Sequence, residues 1–323
     1  MNEAGIETRL VYGFLDAGKT SYIQDCVQND FFYKRGTTLI LCFEQGELAF
    51  DEEALAERNA SVAYYDGAED VTAFCTRCIE AFRPDRIYVE MNTMMQDLRA
   101  QLPACMRVTY AVTWIDWETL PLYFANFTQM INQMVSASQQ VVFRGCPSKD
   151  RLEPYSQAFR LMNQRASYLR QDPMGYHEKA FDLFLPFSLN DDEIAVTGDR
   201  FVPLWLDALD HPEHYEGKRL RFTAPLELRQ SEENGRWRAG RVVMACCMAD
   251  LQFMAFELAA DGLPGGWAIL DATARSGTDE RGQRKLILKP DAVRLVPPPS
   301  TSIIDLRRIS QENEEAVSLR CPK

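Results

Sequence analysis

Residues 13–20 read Gly13-Phe14-Leu15-Asp16-Ala17-Gly18-Lys19-Thr20, and no other stretch restricts the fold of this chain so tightly. They satisfy G-x-x-x-x-G-K-[ST], the pattern of a loop that wraps phosphate between a strand and a helix. The short apolar run Arg9-Leu10-Val11-Tyr12 supplies the strand, and Ser21 to about Tyr33 reads as the helix. Glycines let the backbone curl so that successive N–H groups, together with the positive end of the helix, face phosphate oxygens. Lys19 adds a full positive charge and Thr20 a hydroxyl suited to Mg²⁺. The expected nucleotide-binding set is therefore Gly13 with Asp16, Ala17, Gly18, Lys19, Thr20 and Ser21. The alternative is a chance glycine-rich turn, against which stand all four fixed positions and the strand–helix context.

The chain has 323 residues, enough for two domains. Its net charge of −12 argues against a protein that wraps nucleic acid or coats a membrane surface as a whole. Residues 1–8 carry two glutamates and no apolar core, so no export signal is expected, and no run reaches the length of a membrane span. Nine irregularly spaced cysteines then point to reduced thiols and a cytoplasmic location.

The first half alternates strand-like runs (37–43, 61–65, 86–90, 107–115 and 140–143) with amphipathic stretches, the pattern of βαβ units and a buried parallel sheet. Within 71–82, Val71, Phe74, Cys75, Cys78, Ile79 and Phe82 share one helical face. Cys75 and Cys78 are spaced as a metal or redox pair, yet their place on that face favours buried, inert thiols. Two acids sit at strand ends, Glu44 and Glu90, where an open α/β sheet binds its ligands. Either can hold Mg²⁺ through water or orient an attacking water, and either can equally be a capping or solvated loop acid.

In order and spacing, residues 8–187 resemble the CobW-type P-loop GTPases, a family associated with metal-ion delivery. That family's loop reads G-F-L-G-A-G-K-T, with glycine where this chain has Asp16. Its N-E-x-G-E-x-x-x-D motif is matched by Glu44, Gly46, Glu47 and Asp51, with Phe43 in place of Asn. Its Walker-B-like strand ends in a Glu, matched by Glu90; Asn92, Met94, Asp116 and Asn126 resemble a divergent branch. The resemblance implies an α/β P-loop domain that binds GTP or ATP with Mg²⁺ and hydrolyses it slowly. Lys19 would sit on the β/γ oxygens, Thr20 and Glu90 at Mg²⁺, and Glu90 or Glu44 would be the catalytic acid. It also implies a role in metal homeostasis, with a transition metal such as zinc and a metal-receiving partner protein.

The departures are specific. The family's Cys-x-Cys-Cys motif falls where this chain has Asp66 to Asp70, without a thiol. Its guanine-reading Asn-Lys-x-Asp falls at Arg144-Gly145-Cys146-Pro147, which removes the hydrogen bonds that discriminate a base strongly. Asp16 brings negative charge beside the expected phosphate, although Asp tolerates a positive φ better than most residues. These features keep a second reading open, a degenerate P-loop scaffold or binding module without turnover.

A helix is expected over 151–170, and 181–187 reads as the close of the first domain, which spans 1–187. After it, 201–209 reads as a helix, and strands are expected at 219–226, 241–247, 252–257, 267–275 and 285–288. Five short strands between Gly, Asn and Pro turns make a small all-β domain over 188–299, an OB-like barrel or another small barrel. Residues 300–323 form a tail, read as loose helix or disorder. Leu206 to Pro212, Tyr215 to Lys218 and the vicinal Cys246-Cys247 pair resemble the C-terminal domain of YcgQ-like proteins, described as permease subunits. Cys246 and Cys247 are candidate metal ligands, but neighbours on a strand point to opposite faces and chelate poorly without a bulge. The cations Lys218, Arg219, Arg221, Arg229, Arg236, Arg238 and Arg241, with Phe222 and Trp237, could contact single-stranded nucleic acid. Interspersed glutamates favour a solvated face, so nucleic acid is not expected as a partner. His211 and His214 read as surface residues rather than a metal pair.

Overall fold

The structure, a computed structural model, describes residues 5–29, 36–95, 97–183, 185–229, 236–245, 251–278 and 284–306. The chain divides into two compact units, 1–151 with 163–181, and 152–162 with 182–323.

The first unit is built on an eight-stranded sheet: β1 Ile6–Tyr12, β2 Thr38–Cys42, β3 Ala60–Tyr64, β4 Arg86–Glu90, β5 Met106–Asp116, β6 Gln140–Arg144, β7 Ser167–Gln171 and β8 His177–Lys179. Their spatial order is β3-β2-β4-β1-β5-β6-β7-β8, and only β8 runs antiparallel to its neighbour. Helices α1 Lys19–Gln28, α2 Glu52–Ala56, α3 Val71–Phe82, α4 Leu120–Asn126 and α5 Thr128–Ser136 flank the sheet. β2 is buried along its whole length, as a strand covered by helices on both faces must be, which is why it is apolar from Leu39 to Cys42. Val11, Ile23, Ile40, Leu55, Tyr88, Val112 and Val142 form part of one core cluster. This is the P-loop-type α/β architecture, and it puts the carboxyl ends of β1, β2 and β4 beside the start of α1.

The second unit opens on α6 Glu153–Met162, and continues with β9 Glu193–Ala195, α7 Phe201–Asp210, and strands β10 Arg219–Arg229, β11 Arg236–Met244, β12 Gln252–Leu258, β13 Gly266–Thr278, β14 Arg284–Leu295 and β15 Ile303–Asp305. Five strands pair in the closed cycle β10-β11-β12-β14-β13-β10, with β12 and β14 parallel and the other pairs antiparallel. Closure leaves no free edge in the cycle, and this pairing is that of an OB-like barrel. Alternation builds the interior: Leu220, Phe222, Ala224 and Leu226 of β10 face in, as do Ala268, Leu270, Ala272 and Ala274 of β13. α7 packs against β12 and β14, and its Phe201 meets Phe222 at 5.3 Å and Phe256 at 5.8 Å between ring centres.

Three expectations change. α1 ends at Gln28, because Asn29 is extended (ψ 120°); residues 30–33 lie outside the described residues. The helix expected over 151–170 stops at Met162. The side chain of Asn163 there accepts from the N–H groups of Arg165 (3.0 Å) and Ala166 (3.2 Å), a local turn that competes with the helix. Residues 167–171 then extend the sheet beside β6. The tail contains a short strand, β15, paired with β11.

Candidate functional site

The loop after β1 adopts the backbone that its glycines permit. Gly13 has φ 152°, and a Cβ there would lie 2.6 Å from the Trp114 carbonyl oxygen. Gly18, at the helix N-cap, has φ 102°, and a Cβ would meet the Arg144 side chain at 2.9 Å. Lys19 is almost fully buried, and its ammonium donates to the carbonyls of Gly13 (3.1 Å) and Phe14 (2.8 Å). Its third partner is the Glu44 carboxylate, at 2.6 Å. Behind the loop, Phe14 stacks on Tyr123 with ring centres 4.1 Å apart, which fixes the outer turn against α4.

Glu90 ends β4 at 2% exposure, and its carboxylate accepts from the Thr20 hydroxyl at 2.9 Å. Burial, opposed by the Lys19 charge and the Thr20 hydrogen bond, holds the Glu90 carboxyl above its ordinary value. Cys42, at the end of β2, donates to the Glu44 carbonyl at 3.0 Å, and burial with the nearby Glu90 charge pushes its thiol up to about 12. The two expected acids thus lie together but with different partners. Glu44 holds Lys19; Glu90 holds Thr20.

Asp16 is in the left-handed region at φ 59°. Its carboxylate accepts the backbone N–H of Glu47 at 3.0 Å, and Gly46 lies so close that a Cβ there would collide with the same oxygen. The Asp16 charge is therefore partly spent on the 46–47 segment. Arg144, in the place of the base-reading motif, donates to the Asp16 carbonyl (3.2 Å) and lies 3.9 Å from the Asp116 carboxylate. Thr93, three residues after Glu90, donates to the Gly13 carbonyl at 2.8 Å, and Asn92 donates to the Phe43 carbonyl at 3.3 Å. Both tie the end of β4 to the loops around the site, a role not read from the sequence. Asn126 donates to the Leu122 carbonyl of its own helix at 2.8 Å.

Two cavities adjoin this loop. One of about 210 Å³ is lined by Asp16, Gly18, Lys19, Thr20, Glu47 and Glu90, among others. The other, about 510 Å³, is lined by Ser21, Tyr22, Trp114, Asp116, Arg144 and Asp172, among others. Arg144 and Gly18 border both. The smaller offers the hard oxygens of Thr20 and Glu90 beside a buried ammonium, a donor set that fits Mg²⁺ accompanied by phosphate and water. The aromatic walls of the larger, Tyr22 and Trp114 (ring centres 5.2 Å apart), suit a planar ring. Ala17 is buried beneath the loop, and Ser21 lies between the cavities.

The remaining candidates lie elsewhere. Cys75 and Cys78 are buried, at 0% and 2% exposure, and burial pushes the Cys75 thiol up to about 12. Among the barrel cations, Arg219 pairs with Glu193 (2.6 Å), Arg221 with Asp271, and Arg236 with Glu257 (3.0 Å), while Arg241 is buried. Cys246 and Cys247 lie outside the described residues. No helix among the described residues is long and apolar enough to cross a membrane.

No family model matches the chain, and no curated protein matches it. Among solved structures it is similar to the hydrogenase maturation factor HypB from Archaeoglobus fulgidus, at 15% identity over 53% of this chain and 83% of that one (TM-score 0.37). HypB from Helicobacter pylori in complex with nickel matches at 8% identity over 51% and 78% (TM-score 0.35). A Zn(II)-bound triple mutant of the YjiA GTPase matches at 14% identity over 98% and 99% (TM-score 0.39). The likeness in each case is distant. None of them supports the YcgQ-like resemblance of the second half.

Proposed function

We propose that the chain is a nucleoside-triphosphate-binding protein of the P-loop type, a slow Mg²⁺-dependent NTPase that serves metal-ion handling. The observation that carries this reading is the buried Lys19 ammonium, held by two loop carbonyls at the side of a cavity that also receives Thr20 and Glu90. An ammonium so placed has a reason to be buried when anionic oxygens arrive. In the free protein Glu44 supplies that negative charge. Phosphate entering the cavity takes the place of the Glu44 carboxylate at Lys19, and Arg144 adds a second cation from the other side. Thr20 and Glu90 would hold Mg²⁺, directly or through water; when bound, the ion neutralises charge that develops on the transferred phosphoryl group. Glu44, once released, would orient a water in this reading. The base would enter the larger cavity against Tyr22 and Trp114, with modest preference between GTP and ATP, because Arg144 stands where an Asn and Asp would discriminate. The link to metal delivery rests on the CobW-like order of motifs, and the receiving protein is a partner for this reading.

A calorimetric titration of the purified chain with GTP, ATP and their diphosphates, with and without Mg²⁺, tests the site. Binding that requires Lys19 supports it; unchanged nucleotide-induced stabilisation in Lys19→Ala overturns it. The second reading, a scaffold without turnover, is favoured by the Lys19–Glu44 pair and by Thr93 on the Gly13 carbonyl. Release of inorganic phosphate in a single-turnover experiment separates the two.

A further inference from the structure

The segment that follows α7 carries a cluster that the nucleotide site does not use. His211 begins a 3-10 turn over Pro212–Tyr215, and in such a turn residues three apart lie one above the other. His211 and His214 accordingly stack, with ring centres 4.8 Å apart and planes 24° from parallel. Glu213 joins them, with a carboxylate oxygen 3.5 Å from His211 Nδ1, and one ligand atom from each of the three residues lies within 4.8 Å of the others. Zinc bonded at about 2.0–2.1 Å needs ligand atoms about 3.3 Å apart, a movement open to the exposed His211 and Glu213 side chains.

One of the histidines is also oriented for coordination. The buried Asp207 carboxylate lies 3.0 Å from His214 Nδ1 and accepts the Tyr215 hydroxyl at 2.9 Å. A carboxylate can only accept, so Nδ1 carries the hydrogen and Nε2 is left with its lone pair facing away. A carboxylate behind a histidine in this way fixes the tautomer and raises the basicity of a metal-binding imidazole.

We propose that His211, Glu213 and His214 bind a divalent transition metal of the zinc type, with Asp207 as the positioning residue for His214. Two imidazoles and a carboxylate suit Zn²⁺, Ni²⁺ or Cu²⁺ rather than Mg²⁺ or Ca²⁺, and three protein ligands leave a position open for water or for a ligand from a metal donor or acceptor. The site belongs to the second unit and does not rest on nucleotide binding. Its openness suits transfer of the ion more than a structural role.

The test is calorimetric titration of the full-length protein with Zn²⁺ alone, kept reduced, against the His211→Ala/His214→Ala variant. All nine cysteines are common to both, so thiol sites cancel. The wild type is expected to bind one more equivalent than the variant, and the variant is expected to keep a single cooperative melt at a somewhat lower temperature, because His214→Ala takes one hydrogen-bond partner from the buried Asp207 carboxylate. Asp207→Asn is expected to retain that equivalent at 10–100-fold weaker affinity. Equal zinc stoichiometry in the wild type and the double variant overturns the site. An unweakened Asp207→Asn overturns the positioning role.

Discussion

The Asp16 carboxylate and the Glu47 backbone N–H, 31 residues apart in the chain, meet at 3.0 Å and latch the phosphate loop to the segment after β2. The latch depends on two backbone facts, the positive φ of Asp16 and the missing Cβ of Gly46. Asp16 is thus a brace between two loops as well as a charge near the phosphate cavity. Replacing it by Ala removes a charge-assisted acceptor and puts a residue without local hydrogen bonding at φ 59°, at a cost of about 2 kcal/mol. Asp16→Gly loses the acceptor but relieves the backbone, and should cost about 1 kcal/mol or less. Denaturant unfolding measures both, and hydrogen exchange at Glu47 should quicken in each; equal stability of Asp16→Ala and the wild type would rule the brace out.

In the proposed function, Glu44 competes with phosphate for Lys19, with which it pairs at 2.6 Å. In Glu44→Gln the ammonium keeps its two carbonyl partners and loses its counter-ion, so an incoming diphosphate no longer displaces a carboxylate. The expected result is about tenfold tighter binding of nucleoside diphosphate, together with a less stable free protein, since removing one partner of a buried pair commonly costs about 3–5 kcal/mol. Titration of the two proteins side by side decides it. Weaker binding in the variant would mean that Glu44 assists phosphate rather than excluding it.

Glu90 makes the free protein sensitive to pH. Its folded-state pKa is raised, chiefly by burial. Its contribution to stability is therefore fully present below the ordinary carboxyl range and is lost as pH rises through the raised value. Glu90→Gln keeps an acceptor for Thr20 and cannot ionise. Without Mg²⁺ it should be the more stable protein at neutral pH, by about 1 kcal/mol or ~3 °C in Tm, with the difference vanishing in mild acid. Thermal melts between pH 4 and 8 read this directly, and parallel curves for the two proteins would contradict it.

Thiol reactivity separates core cysteines from accessible ones. Cys75, buried and with its thiol pushed up to about 12, should resist iodoacetamide at pH 8 in the native protein, as should its buried neighbour Cys78. Among the cysteines of the described residues, Cys105 is exposed and should be labelled first. Peptide mapping after a short exposure distinguishes them; rapid alkylation of Cys75 or Cys78 would revive a metal or redox role for that pair.

Much of the first unit was readable along the chain because its signals are local. The order of glycines, lysine and threonine dictates a strand, a curled loop and a helix, and short apolar runs between turn residues fit strands buried on both faces. The 71–82 helix and the burial of its two cysteines follow from a period of 3.6 residues. The five barrel strands were legible by alternation, although β15 and the return of 167–171 to the sheet were not. Those depend on pairing with β11 and β6, and on a single asparagine turn, none of which periodicity records.

By itself, then, the sequence determined the α/β class, the phosphate loop and the all-β second half, because each is encoded in neighbouring residues. Only the tertiary structure decided what each charged group faces. It paired Lys19 with Glu44 and Thr20 with Glu90, turned Asp16 toward Glu47, brought Arg144 to Gly18, and set Asp207 behind His214. Apart from the last, these contacts join residues 25 to 126 positions apart, where the local pattern carries no information. In the last the spacing is short, and it is the burial of Asp207 and Tyr215 that gives His214 a fixed partner.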